Sequence, residues 1–146
     1  MRSSEIEALL EKLNGSGSDE EWRAISKLRG LDNLPDVLLE KFQRSKRYGA
    51  RASCVYNCIR YATTSDSAFQ LGLAATNDRS RVVRYRAAML LAVAQNEAAI
   101  PYLESMKLKH KESFADADSA ILAILHGNPN LFVDRNNSGM VKLNIL

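Results

Sequence analysis

The sequence predicts an all-α fold: a stack of about four helix pairs, closed at its C-terminus by a β-hairpin. Three observations predict it. Apolar residues recur at helical spacing in nearly every segment to about residue 126, and none before residue 130 alternates with period two. Helix start and stop signals punctuate those segments. The chain also matches itself at a spacing of 33 residues, twice over.

The elements follow in order. Ser4-Glu5-Ile6-Glu7 has the form of a capping box, with Ile6, Leu9, Leu10 and Leu13 as the apolar stripe behind it. Asn14-Gly15-Ser16-Gly17 stops that helix, and Ser18-Asp19-Glu20-Glu21 starts a second. Its predicted core stripe is Trp22, Ile25 and Leu28. A third helix runs from Leu34 to Phe42, with Pro35 tolerated in the first turn. A fourth is predicted from about Arg47 to Ala62, and further ones near 66–77, 80–95, 97–108 and 113–125. Gly127 and Pro129 close the last. The helical domain is thus 1–126. Residues 127–146 form a cap belonging to the same domain, in which 131–133 and 140–145 read as hairpin arms around a polar turn, Asp134 to Gly139. Covering one end of the stack is the plain role for such a cap, ahead of a binding role.

Composition narrows the function. The 146 residues are 46% hydrophobic and 25% charged, which excludes general disorder. The longest apolar run, Ala87 to Ala94, is far short of the roughly 20 residues a membrane span needs. The first residues lack the apolar core of a signal peptide, and two cysteines make no disulfide framework, so a cytosolic location is expected. The net charge of +3 conceals a basic centre: −4 over 1–40, +8 over 41–86 and −1 over 87–146. Such a field selects anionic partners.

The repeat is specific enough to suggest a family. Cys54, Ala87 and Ala120 correspond, as do Val55, Ala88 and Ile121, and Cys58, Leu91 and Ile124. Leu34-Pro35-x-Val37 matches Ile100-Pro101-x-Leu103 at twice the spacing. Asp78, Val83-Arg84, Ala87 and Leu91 resemble the second helix of a HEAT-like repeat, and Ala99-Ile100-Pro101-Tyr102-Leu103 the start of the next unit. The resemblance is fullest over 66–126, less over 34–62 and least over 3–31. It implies a right-handed α-α superhelix, a HEAT-like solenoid, whose second helices line the concave side. Arg84 stacks on Arg51 through the repeat, but Ala117 takes the next position, so a charge ladder ends there.

Other candidate chemistry is sparse. Cys54 and Cys58 share one helical face, yet they stand where the repeat has Ala and Leu or Ile, so buried thiols are expected rather than metal ligands. Neither His110 nor His126 has a nucleophile or carboxylate at motif spacing. Asp134-x-Asn136-x-Ser138-Gly139 matches the first half of a calcium loop, but Ile145 replaces the bidentate Glu, and a tight turn explains the same residues. No catalytic residue, cofactor or metal is expected, and nothing supports an enzyme such as a HEAT-like lyase handling a chromophore.

The functional expectation is therefore a non-enzymatic protein-binding module. In size, architecture and the Phe132-Val133-Asp134-Arg135-Asn136-x-Ser138-Gly139 tail, the chain resembles the small helical-repeat immunity proteins that bacteria pair with polymorphic or contact-dependent toxins. That resemblance implies a stand-alone inhibitor gripping the acidic surface of a toxin domain. Arg44, Arg47, Arg51, Arg81, Arg84 and Tyr85 are the expected contacts, with intramolecular pairing of Asp78 to Arg51 or Arg84 as the alternative fate of part of the ladder. Nucleic-acid binding in a basic concave groove is the competing function. No membrane partner is expected.

Overall fold

A computed structural model describes residues 1–145. Eight α-helices are present among them: α1 (Ser3–Leu10), α2 (Asp19–Leu28), α3 (Leu34–Arg44), α4 (Tyr48–Cys58), α5 (Asp66–Ala75), α6 (Arg81–Ala94), α7 (Ile100–Lys109) and α8 (Phe114–Leu125). Each odd helix packs on the even helix that follows, as short connections favour. The even helices α4, α6 and α8 stack side by side, and α3 packs on α5 behind them. The molecule is all-helical and repeat-like, and no described helix is long and apolar enough to cross a membrane.

Local chemistry explains the boundaries. Ser18 Oγ accepts the Glu21 N–H at 3.2 Å and caps α2. The capping box at Ser4 does not form, because α1 starts two residues earlier with Arg2 as its N-cap. Pro35 and Pro101 lie in first turns, where the missing N–H costs nothing. The repeat positions fill the core as the pattern implies: Cys54, Cys58, Ala87, Leu91, Ala120 and Ile124 are all buried. Small residues at Ala87 and Ala120 let neighbouring helices approach closely.

Two further expectations are corrected. Trp22 is not a core residue: it is 65% exposed, and the buried stripe of α2 is Glu21, Ala24, Ile25 and Leu28. The C-terminal β-hairpin is absent, and no described residue forms a strand. Pro129–Phe132 instead makes a 3-10 turn that packs on α8 and α6, with Phe132 fully buried against Tyr85. The first arm cannot pair because its polar groups are already engaged. The N–H groups of Val133 and Asp134 both donate to Asn130 O, and Arg135 Nε donates to Phe132 O. The Asp134 carboxylate accepts from Ser138 N, Ser138 Oγ and Gly139 N, which closes the polar turn. Beyond it the chain runs on without regular structure, tied back by Leu143 N donating to Asn130 Oδ1, and Asn144 and Ile145 reach a crevice beside Arg29, Tyr56 and Met89.

Candidate functional site

The predicted arginines divide into three groups. Arg51 and Arg84 are buried and act inside the fold. Arg51 meets Asp78 with a two-pronged bond, Nε to Oδ2 at 2.8 Å and Nη2 to Oδ1 at 3.1 Å, and Nη1 donates to Lys46 O at 2.6 Å. Arg84 repeats the device one unit on. It donates to Ser113 Oγ at 2.8 Å and Asp78 O at 2.7 Å, and pairs with Glu112. The repeat arginine therefore staples the loop before its own helix to the loop of the next unit. The third unit has Ala117 there, and the tail supplies a substitute: Arg135 pairs with the buried Asp116 at 2.9 Å. Arg44 is exposed but held by Glu7 at 2.9 Å. Arg47 and Arg81 are exposed and make no ion pair with any described residue. Tyr85 is half-buried, its ring 5.4 Å from that of Phe132, and belongs to the cap.

The unpaired cations gather at one edge of the stack. An open cleft of about 1080 Å³ lies where the α1–α2, α3–α4 and α5–α6 loops meet, lined by Lys41, Lys46, Arg47 and Arg79 among others. Arg81 stands just beyond it, at the start of α6. None of these five has an acidic partner among the described residues. The α4 N-terminus opens into the same cleft without a side-chain cap, so its positive dipole end adds to the field. The ladder lies on an edge and not along the even-helix face, because its two repeat positions are consumed by the internal staples.

A second feature escaped sequence reasoning. Between α2, α4 and α6 lies a groove of about 310 Å³. Its exposed apolar lining is Trp22, Tyr48, Tyr56 and Val82, and the Arg86 guanidinium lies 4.4 Å from the Tyr56 ring centroid. Each helix contributes a stripe at helical spacing: Tyr48, Ala52 and Tyr56 on α4, Val82 and Arg86 on α6, and Trp22 and Ile25 on α2, continued by its C-cap Arg29. Tyr48 and Tyr56, eight residues apart around a small Ala52, were the available signal in the sequence.

Groove and cleft adjoin at a tight backbone crossing. The α1–α2 loop lies against the first turn of α4, where a Cβ on Gly49 would fall 2.3 Å from Asn14 O. Glu21 holds the loop there. Its Oε2 accepts Gly15 N–H and Ser53 Oγ–H, and its Oε1 accepts Gly17 N–H. This buried carboxylate is satisfied by three hydrogen bonds within the protein.

Burial pushes the Cys54 thiol up to about 12 and raises Cys58 as well, which suppresses the thiolate. His110 Nε2 lies 3.2 Å from Asn77 Oδ1, and His126 is exposed at the end of α8. Among the described residues no group of three or more His, Cys, Asp or Glu could hold a metal ion. Hydrogen bonds from the Ser138 hydroxyl, Ser138 N–H and Gly139 N–H hold the Asp134 carboxyl below the usual carboxylate range. Compared with known protein families, curated proteins and solved structures, the chain matches none.

Proposed function

We propose that this protein is a non-enzymatic, HEAT-like binding module that grips an acidic protein surface at its basic edge. The finer form of the proposal is an inhibitor of the toxin-immunity type. One observation carries it: Lys41, Lys46, Arg47, Arg79 and Arg81 collect around one open cleft with no acidic partner among the described residues. Glu11 is the acidic residue lining the cleft, so the cations outnumber it, and the net positive field attracts and orients an anionic partner. The internal staples support it further, because loops clamped by Arg51 and Arg84 hold the edge rigid before binding.

The test is a growth screen. Fragments of the native host's genome are expressed for growth arrest, and the protein is co-expressed to relieve it. Relief by the wild-type chain, lost in Lys46→Glu/Arg47→Glu/Arg79→Glu, is the expected result. Relief unchanged by that triple reversal would refute the basic edge as the contact.

The cleft also supports a second reading, nucleic-acid backbone binding, through its clustered cations and the uncapped start of α4. Duplex binding through four phosphate contacts would weaken with a log–log salt slope of about −3.6. Binding to a purified acidic protein at a salt concentration where duplex binding has vanished favours the first reading.

A further inference from the structure

We infer that the groove between α2, α4 and α6 is the anchor site of the partner, and that its occupant is an acidic linear segment carrying one bulky apolar side chain. This deepens the protein-binding reading and rests on it.

The lining selects the apolar anchor. Trp22, Tyr48, Tyr56 and Val82 are 65%, 60%, 49% and 46% exposed, and they come from three different helices to one groove. Large aromatic surfaces with few rotatable bonds, arranged around a pocket, are what partner anchors fill. A volume of about 310 Å³ admits a side chain and its flanking backbone, and not a second domain.

Charge selects the rest of the segment. Two cations stand at the groove wall, Arg86, oriented by its stack on Tyr56, and Arg29, whose Nε is buried without a hydrogen-bond partner; neither has an ion pair among the described residues. The Arg86 fork suits a carboxylate. Glu21, the groove's own acid, is buried and already accepts three hydrogen bonds, so it presents no exposed carboxylate for a basic ligand to pair with. At the Tyr48 end the groove meets the basic cleft, because Gly15, Tyr48 and Gly49 line both. One segment can thus seat its anchor between Trp22 and Tyr56 and carry further carboxylates toward Arg47. A basic segment would meet repulsion at both ends, and an uncharged one would leave Arg86 desolvated and unpaired.

The probe is a display selection of random 12-residue peptides on the full chain. The winning peptides are measured against the wild type, Val82→Glu, Arg86→Glu, Lys46→Glu/Arg47→Glu/Arg79→Glu and the distant control Leu108→Glu. Val82 and Leu108 are exposed, so far-UV circular dichroism should report an unchanged fold for both variants. Enrichment of Asp/Glu-rich peptides with one Trp, Phe or Leu supports the inference when affinity falls about tenfold or more in V82E and in R86E but not in L108E. Basic or uncharged winners overturn it, as does failure of any sequence to enrich. Winners sensitive only to the triple reversal overturn the groove and leave the protein-binding reading intact. A concentration-dependent dimer of the wild type that V82E abolishes overturns the inference too, because the groove's occupant would then be a second copy.

Discussion

Replacing Arg51 with Met should damage the protein more than replacing Arg84, although Arg84 is the more buried of the two. Relative exposures of 7% and 1% would order them the other way if burial alone decided. The partners decide instead. Asp78, the partner of Arg51, has a side chain only 8% exposed, and without Arg51 it keeps just the Ser80 N–H at 2.9 Å. A buried carboxylate stripped of its cation costs about 3–5 kcal/mol. Glu112, the ionic partner of Arg84, is 54% exposed and can rehydrate in place. Arg84→Met strands no buried charge and loses chiefly its charged bonds to Ser113 Oγ and Asp78 O, about 1.5–3 kcal/mol each, whereas Arg51→Met adds the loss of its charged bond to Lys46 O to the cost of the stranded carboxylate. Urea unfolding at neutral pH, extrapolated to water, measures both. A second comparison isolates the pair. Arg51→Met/Asp78→Asn removes the stranded charge while keeping an acceptor for Ser80, so it should recover part of the loss in Arg51→Met. The staple account fails if Arg84→Met costs as much as Arg51→Met, or if the double variant is no more stable than Arg51→Met alone.

Three further outcomes are expected. With the Cys54 thiol pushed up to about 12 by burial and Cys58 raised likewise, neither should react with iodoacetamide at pH 8 in the native protein, while both react in denaturant; intact mass counts the adducts. Gly49→Ala forces a Cβ onto Asn14 O and should lower stability by about 1–3 kcal/mol, seen as a lower thermal midpoint. The Asp134 carboxyl is held below its ordinary value, so its contribution is present above the unfolded-state range and lost as pH falls through the folded value. Asp134→Ala should therefore speed hydrogen exchange at Ser138 and Gly139 at neutral pH, and the difference from wild type should vanish in acid.

Helix positions were legible in the sequence because each helix carries its own cap or stripe, and the repeat marks which side chains meet in the core. The misreadings share one cause, a residue type that usually behaves otherwise. Glu21 occupies the buried stripe of α2 that a hydrophobic residue would normally hold, so the apolar pattern points to Trp22, one position and about 100° away on the helix. The tail alternates like a strand, but local bonds to Asn130 and Asp134 pre-empt the pairing, and those depend on side chains finding backbone in a particular turn. Arg51 and Arg84 look like surface cations until Asp78 and Glu112 are brought 27 and 28 residues back to meet them. Asp78 was visible as a possible partner. The groove was not, because it needs three helices in contact before Trp22, Tyr56 and Arg86 share one space.

The central claim is that the basic edge holds one acidic protein. Tagged wild-type protein and the Lys46→Glu/Arg47→Glu/Arg79→Glu variant should be purified from the native host with and without nuclease treatment, and their companions identified by intact mass. A single protein at equal stoichiometry on the wild type, missing from the charge-reversed variant, is the predicted result. A companion that survives the charge reversal unchanged, or bound material that nuclease removes entirely, would contradict it.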